Sequence, residues 1–367
     1  MDGDTEKMDA MKTFMGLVAV SVFAVAGCKT TEPCGCSGLC KLGGELVKPS
    51  APIVLPDEWN SPDGMTLGKD GNIYLSINNV GDQSHPAKVG IIDSNDEVRV
   101  FTDLPVHPET GKVSPLGMVF GSDGHLYVAD NQTFVSDQPG LSRLLRVNIQ
   151  DGKPVGTDVV VAGLQMANGL SAHGDYIVVN DTSIDKTYPL TSGTYRFTLE
   201  ELNGGPVEVE GLGDPHLIVT LKTRNKEHQI GANGVAYAAN GDLFVCNFGD
   251  AEIWKATFAK SGEVACWALF SKGKQQGLAC VDGLQIDEFG KLWTADFLGN
   301  AIACICPKSG KVKIVAKNEP GTGEDGSMDA PSECIRRGNK VYAANIDLSY
   351  GPNETDGFHS ISVFELP

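Results

Sequence analysis

From about residue 50 onward the chain repeats one short pattern six times, and this repeat restricts the fold more than any other feature. The pattern reads SPDGMTLGKDGNIYLSIN from Ser61, SPLGMVFGSDGHLYVADN from Ser114 and MANGLSAHGDYIVVND from Met166. It returns as GANGVAYAANGDLFVCNF from Gly231, CVDGLQIDEFGKLWTADF from Cys280 and APSECIRRGNKVYAANID from Ala330. Each unit reads as a strand, a Gly- or Asp-containing turn and a second strand rich in β-branched and aromatic residues. Two weaker strands lie between units, for example 89–93 with 98–102 and 301–306 with 312–316. Four strands in roughly fifty residues describe one blade of a propeller. The chain is therefore expected to be all-β: a six-bladed β-propeller over 51–367, its four-stranded antiparallel blades set around a central channel. The 44 glycines among 367 residues suit so many tight turns. A last strand at 360–366 should pair near Ile53 and close the ring, leaving no exposed edge.

In such a fold the first strand of each blade lines the channel, so the repeat sets equivalent positions in a ring. These positions read Asp63, Leu116, Asn168, Asn233, Asp282 and Pro331, separated by 53, 52, 65, 49 and 49 residues. Asp-Gly and Asn-Gly are also the commonest turn pairs. Leu116 and Pro331 show, however, that this position does not itself demand Asp or Asn. Two carboxylates and two amides converging on an axis make an all-oxygen site of formal charge −2, which matches Ca²⁺ or another hard divalent ion. No cysteine or histidine stands in the ring, which argues against zinc or copper as the native ion.

A second ring stands at the ends of the second strands: Asn78, Asp130, Asn180, Asn247, Asp296 and Asn345. Such residues commonly satisfy backbone groups at strand ends. Asn247 and Asp296 are the two kept as candidates for supporting the metal ligands. His228, five residues before Asn233, is either a proton relay at the mouth or a solvated loop histidine. The segments 82–89 and 182–194 are expected to cover the mouth and set substrate size.

Together these motifs resemble the gluconolactonase–regucalcin (senescence marker protein) family of six-bladed propeller hydrolases, over roughly residues 55–365. In that family an acid from blade one, asparagines from blades three and four and an aspartate from blade five hold a central divalent ion. The resemblance carries these roles to Asp63, Asn168, Asn233 and Asp282. The stretch VDGLQIDEFGKLWTADFLGN from Val281 is the strongest match. One departure is Asp63, because the family usually has glutamate on blade one. The resemblance implies a calcium-dependent lactonase acting on sugar lactones or related small esters, with Asp282 or Asp63 as the base. Related paraoxonases and the squid-type phosphotriesterase use a similar central ion, so an arylesterase- or phosphotriesterase-like hydrolase shares the expected site. A non-catalytic NHL-like propeller with a structural calcium, binding a ligand or protein, would show the same ring.

The formal net charge of −18 repels phosphate backbones and anionic headgroups, so neither nucleic acid nor a membrane surface is an expected partner. Membrane attachment is expected only through the N-terminus. There the apolar run 14–26 follows Lys12 and is too short to span a bilayer, but it has the length of a signal-peptide core. It ends in Val25-Ala26-Gly27-Cys28, which resembles a bacterial lipobox with Cys28 as the lipidated residue. Asp2, Asp4, Glu6 and Asp9 are the wrong charge for a signal n-region, which leaves Met8 and Met11 as alternative starts. Residues 1–28 thus read as a lipoprotein-type signal peptide and 29–50 as a tether. Lys29 after the cysteine favours the outer membrane over the inner for an exported, periplasmic protein. The tether carries Cys34, Cys36 and Cys40, and disulfides suit an oxidising periplasm, with no pairing assigned.

Overall fold

A computed structural model describes residues 44–367. The signal peptide, Cys28 and tether residues 29–43 lie outside the described residues. Six sheets form the fold, five of four strands and one of five, and each matches one sequence repeat. Blade one, for example, comprises Pro62–Leu67, Ile73–Ile77, Lys88–Ile92 and Val98–Asp103, all antiparallel. Among the described residues no helix is long and apolar enough to cross a membrane.

The burial pattern follows from stacking blades face to face. The second strand is buried at every residue in Ile73–Ile77, Leu126–Asp130, Leu243–Asn247 and Leu292–Asp296. Both faces of such a strand are covered by neighbouring blades, so it reads as a continuous apolar run rather than an alternating one. The core therefore lies between blades. Tyr74 and Val89 of blade one pack with Met118, Leu126 and Leu145 of blade two.

Closure occurs where expected. Ile53–Val54 supplies the outer strand of blade six, with Ile53 opposite Ile361 and Val54 opposite Ser360. Additional bonds run from Ser50 N–H to the Val363 carbonyl at 2.8 Å and from Leu55 N–H to the His359 carbonyl at 2.9 Å. Blade six packs onto blade one through Ile335, Tyr342 and Ile361 against Met65 and Leu75, so the join has a core of its own.

The long third interval also has a structural cause. After Leu190–Thr198 the chain forms the short helix Leu199–Asn203, held by a Thr198–Glu201 capping box. It then adds Val207–Glu208 in parallel to Lys153–Leu164 of blade two. This fifth strand was not foreseen from the repeat.

Pairing corrects the sixth ring position. In blades one to four the last pair before a bulge is Pro62 with Ile77, Pro115 with Asp130, Ala167 with Asp181 and Ala232 with Asn247. In blade six it is Pro331 with Asn345. Pro331 thus matches Pro62 rather than Asp63. The sixth ring residue is Ser332, and Glu333 stands where every other blade has glycine.

Candidate functional site

A β-bulge at the start of the first strand in every blade but the fifth sets the ring residues at the channel. Asp63, Asn168, Asn233, Asp282 and Ser332 all line a small chamber in the channel and also the cavity outside it. They form the floor between the two. The structure thus brings together the four residues expected as metal ligands.

The glycine beside each ring residue has a different role from a turn glycine. Gly64, Gly117 and Gly169 keep negative or extended φ, and what they lack is room for a side chain. A β-carbon on Gly64 would lie 2.4 Å from the Leu116 carbonyl oxygen, and one on Gly169 would lie 2.2 Å from that of Asn233. Each blade's ring therefore presses on the backbone of the next, and glycine permits the approach.

Glu333 breaks this pattern. Its carboxylate fills the space over Gly283 and lines the inner chamber but not the outer cavity. Cys334 N–H donates to Oε1 at 2.9 Å. Gln285 Nε2 donates to Oε2 at 3.1 Å and also to the Met65 carbonyl at 3.0 Å. Asp282 and Glu333 are buried, whereas Asp63 and Asn168 keep a partly open face. Ser332 hydrogen-bonds Asp63, and the Asn233 side chain hydrogen-bonds Asp282.

Burial pushes the Asp63 carboxyl up to about 7 against the Ser332 hydrogen bond, and pushes Glu333 up to about 8. Asp282 is raised well above the ordinary carboxylate range, by burial first and then by the Asp63 and Glu333 charges. Among the described residues, no lysine, arginine or histidine forms an ion pair with these three acids. Three carboxyls in a low-dielectric chamber need protons or a cation to offset them. The donors are all oxygens, carboxylate and amide, so the residues fit a hard divalent cation.

The outer cavity measures about 530 Å³. Leu116, Phe134, Met166, Ile230, Phe248 and Phe297 line it, together with Ile346, Leu348, Ser349, Tyr350 and Thr355. Neither segment expected to cover the mouth contributes. Gln83 to Ala87 line a separate cavity with Val106 and Lys112. Thr182 and Ser192 instead anchor blade four, through Thr182 Oγ1 to the Ala232 carbonyl at 2.6 Å and Ala232 N–H to Ser192 Oγ at 2.8 Å. His228 pairs its Nδ1 with the Tyr350 hydroxyl at 2.9 Å, which makes it a support for the cavity wall rather than a relay to the ring acids.

The second ring divides by function. Asp296 accepts N–H bonds from Ala279 at 2.8 Å and Cys280 at 2.9 Å, which pins the segment leading into Asp282. Asn247 accepts from Thr223 Oγ1 at 2.8 Å and donates to the Lys222 carbonyl at 3.3 Å, away from the ring. Asn180, passed over in the sequence, donates to the Asn233 carbonyl at 2.7 Å. Its membership of the same ring was the signal that could have identified it.

No family model matches the sequence, and no curated protein matches it. Solved structures do. A gluconolactonase from Xanthomonas campestris is 15% identical, with a TM-score of 0.53 over 92% of this chain and 99% of that one. Regucalcin from Agrobacterium tumefaciens, a calcium-binding protein, is 9% identical, with a TM-score of 0.55 over 88% and 96%. A PQQ-bound aldose sugar dehydrogenase from Streptomyces coelicolor is 16% identical, with a TM-score of 0.56 over 88% and 98%. At these identities the likeness shows the fold, and the structural neighbours include gluconolactonase- and regucalcin-type propellers. One fold carries oxidoreductase and lactonase alike, so chemistry has to be argued from the site.

Proposed function

We propose that this protein is a divalent-cation-dependent hydrolase, a lactonase acting on sugar lactones or related small esters at the channel mouth. The observation that carries this reading is the shared floor: Asp63, Asn168, Asn233 and Asp282 meet beneath an apolar cavity, and no cationic side chain among the described residues pairs with the two acids. These four residues would hold the ion, Ca²⁺ in the first instance, and Glu333 would add a third negative charge behind them. A bound Ca²⁺ supplies Lewis-acid polarisation of the ester carbonyl. Whichever oxygen of Asp282 or Asp63 stays free of the ion takes the proton of the attacking water. The hydrogen bonds from Asn233 and Ser332 hold these two carboxylates in register. The aromatic walls exclude bulk water, which strengthens every charge interaction at the floor.

The gluconolactonase and regucalcin neighbours support this reading without fixing substrate or ion. The protein acts, in this proposal, as an exported lipoprotein anchored through Cys28. The disulfide at Cys306 suits an oxidising compartment. A second reading rests on the walls. Phe134, Phe248, Phe297 and Tyr350 suit an aryl ester better than a polyhydroxylated sugar. Hydrolysis of an aldonolactone and of an aryl ester, each with Ca²⁺ and with chelator, separates the readings. Turnover of neither, with calcium still bound, would overturn both readings and favour a binding propeller instead.

A further inference from the structure

Beside the ring residues, three further aspartates converge at the mouth end of the two inner strands of blade six. Asp329 lies just before strand Pro331–Arg337, Asp347 just after Lys340–Asn345, and Asp356 near the end of the following loop. One carboxylate oxygen from each lies within 4.8 Å of the other two. Asp329 and Asp347 are each only 1% exposed. A convergence of acids alone indicates little, but Asp329 adds a separate observation. Its Oδ2 is buried and has no hydrogen-bond partner. An unpartnered carboxylate oxygen in protein is costly unless a proton or a cation neutralises it, and two further carboxylates beside it make a cation the ligand that serves all three.

Among the described residues, no lysine or arginine forms an ion pair with any of the three, and the one ion pair they make is between Asp347 Oδ2 and His359 Nδ1 at 3.6 Å. Asp347 is meanwhile oriented by its own loop, accepting the Asp356 N–H at 3.0 Å and the Gly357 N–H at 3.1 Å. Asp356 is exposed, so water reaches the cluster and can complete a coordination shell.

We propose that Asp329, Asp347 and Asp356 form a second hard-cation site of the calcium class, independent of the channel ring. Three carboxylates of differing exposure suit the larger, geometrically flexible ion, while Mg²⁺ demands near-ideal octahedral geometry and keeps its waters. The site also has a consequence for the mouth. Asp347 and Asp356 bracket the loop whose Leu348, Ser349, Tyr350 and Thr355 line the outer cavity. A cation there ties both ends of that loop to Asp329 and fixes the wall.

The test is calorimetric titration of CaCl2 into chelator-stripped full-length protein. The Asp63→Asn/Asp282→Asn/Glu333→Gln variant, which lacks all three channel carboxylates and is called the ring variant below, should retain one calcium equivalent. Adding Asp356→Ala, an exposed change that spares the core, should weaken that binding by at least about tenfold, because affinity follows ligand charge count. Adding Asp329→Asn should remove it, with a thermal unfolding transition confirming that the chain is folded. Calcium should also slow proteolytic cleavage within residues 348–355 of the ring variant. The proposal is overturned if the ring variant takes up no calcium, if Asp356→Ala binds like its parent, or if MgCl2 alone binds as tightly as calcium. Failure of the ring reading is distinguishable. In that case wild type and the ring variant both bind one equivalent, and only Asp329 and Asp356 control it.

Discussion

The carboxylate of Glu333 packs so tightly over Gly283 that a β-carbon on that glycine would lie 2.5 Å from Oε1. Glycine on blade five thus makes room for an acid that blade six places behind Asp282. Glu333→Gln keeps the volume and removes the charge. Calcium affinity at the ring should fall by about tenfold, since affinity follows ligand charge, while the calcium-free protein melts higher. Gly283→Ala should weaken calcium too, by displacing the retained carboxylate. Titration calorimetry and thermal melts on both variants check this, and unchanged affinity in Glu333→Gln would remove its assigned electrostatic role.

Asp282→Ala tests the central floor. It deletes a carboxylate that Asn233 orients and that Asp296 positions through the Ala279 and Cys280 amides. Calcium-dependent ester hydrolysis should drop by roughly 10²–10³-fold or more, the scale of losing one preorganised stabilising group. The melting temperature measured in chelator should not fall at alkaline pH, because the variant no longer holds a carboxyl whose ionised form burial disfavours. Full activity in this variant would end the proposed chemistry.

Much of this was legible in the sequence because a propeller states its register six times. Strand pairs, blade number and the closing partner of Ile53 all followed from the repeat. The register slipped at blade six, where APSEC has no Asx-Gly pair to align, so Pro331 stood in for Ser332 and Glu333 went unseen. Similarity between repeats is weakest where one blade departs for a purpose. The cavity walls were misread for another reason. Phe134, Phe248 and Phe297 come from three blades, and Tyr350 from a loop with no periodicity. Only the ring geometry shows that these segments meet over one floor, while 82–89 faces elsewhere.

The raised carboxyls give the stability a pH signature. Asp63 moves from 3.8 to about 7 and Glu333 from 4.5 to about 8 on folding, so the folded state holds more protons than the unfolded one across that window. Stability must then fall as pH rises through it, the reverse of a salt-bridged carboxylate. In chelator the melting temperature should decline between about pH 5 and pH 8. Asp63→Asn should flatten the decline, and saturating Ca²⁺ should reduce it by replacing protons with the ion. A melting temperature that rises over this range in chelator would show that these acids are ionised at no cost.

The choice between sugar lactone and aryl ester turns on Phe297. It is 5% exposed and lies 6.0 Å, centroid to centroid, from Tyr350 and 6.2 Å from Phe248, which are themselves 6.3 Å apart. These three rings form one apolar wall of the outer cavity. Phe297→Leu keeps the wall apolar but removes an aromatic face, worth about 0.5–1.5 kcal/mol in a ring pair. If substrate rings stack there, KM for an aryl ester should rise by about three- to tenfold with kcat nearly unchanged, the mark of lost ground-state binding. KM for a sugar lactone should barely move, because its hydroxylated ring gains little from that face. Steady-state kinetics on the two substrates decides the matter. An equal rise for both would mean that Phe297 shapes the cavity without reading the substrate, and the aryl-ester reading would lose its support.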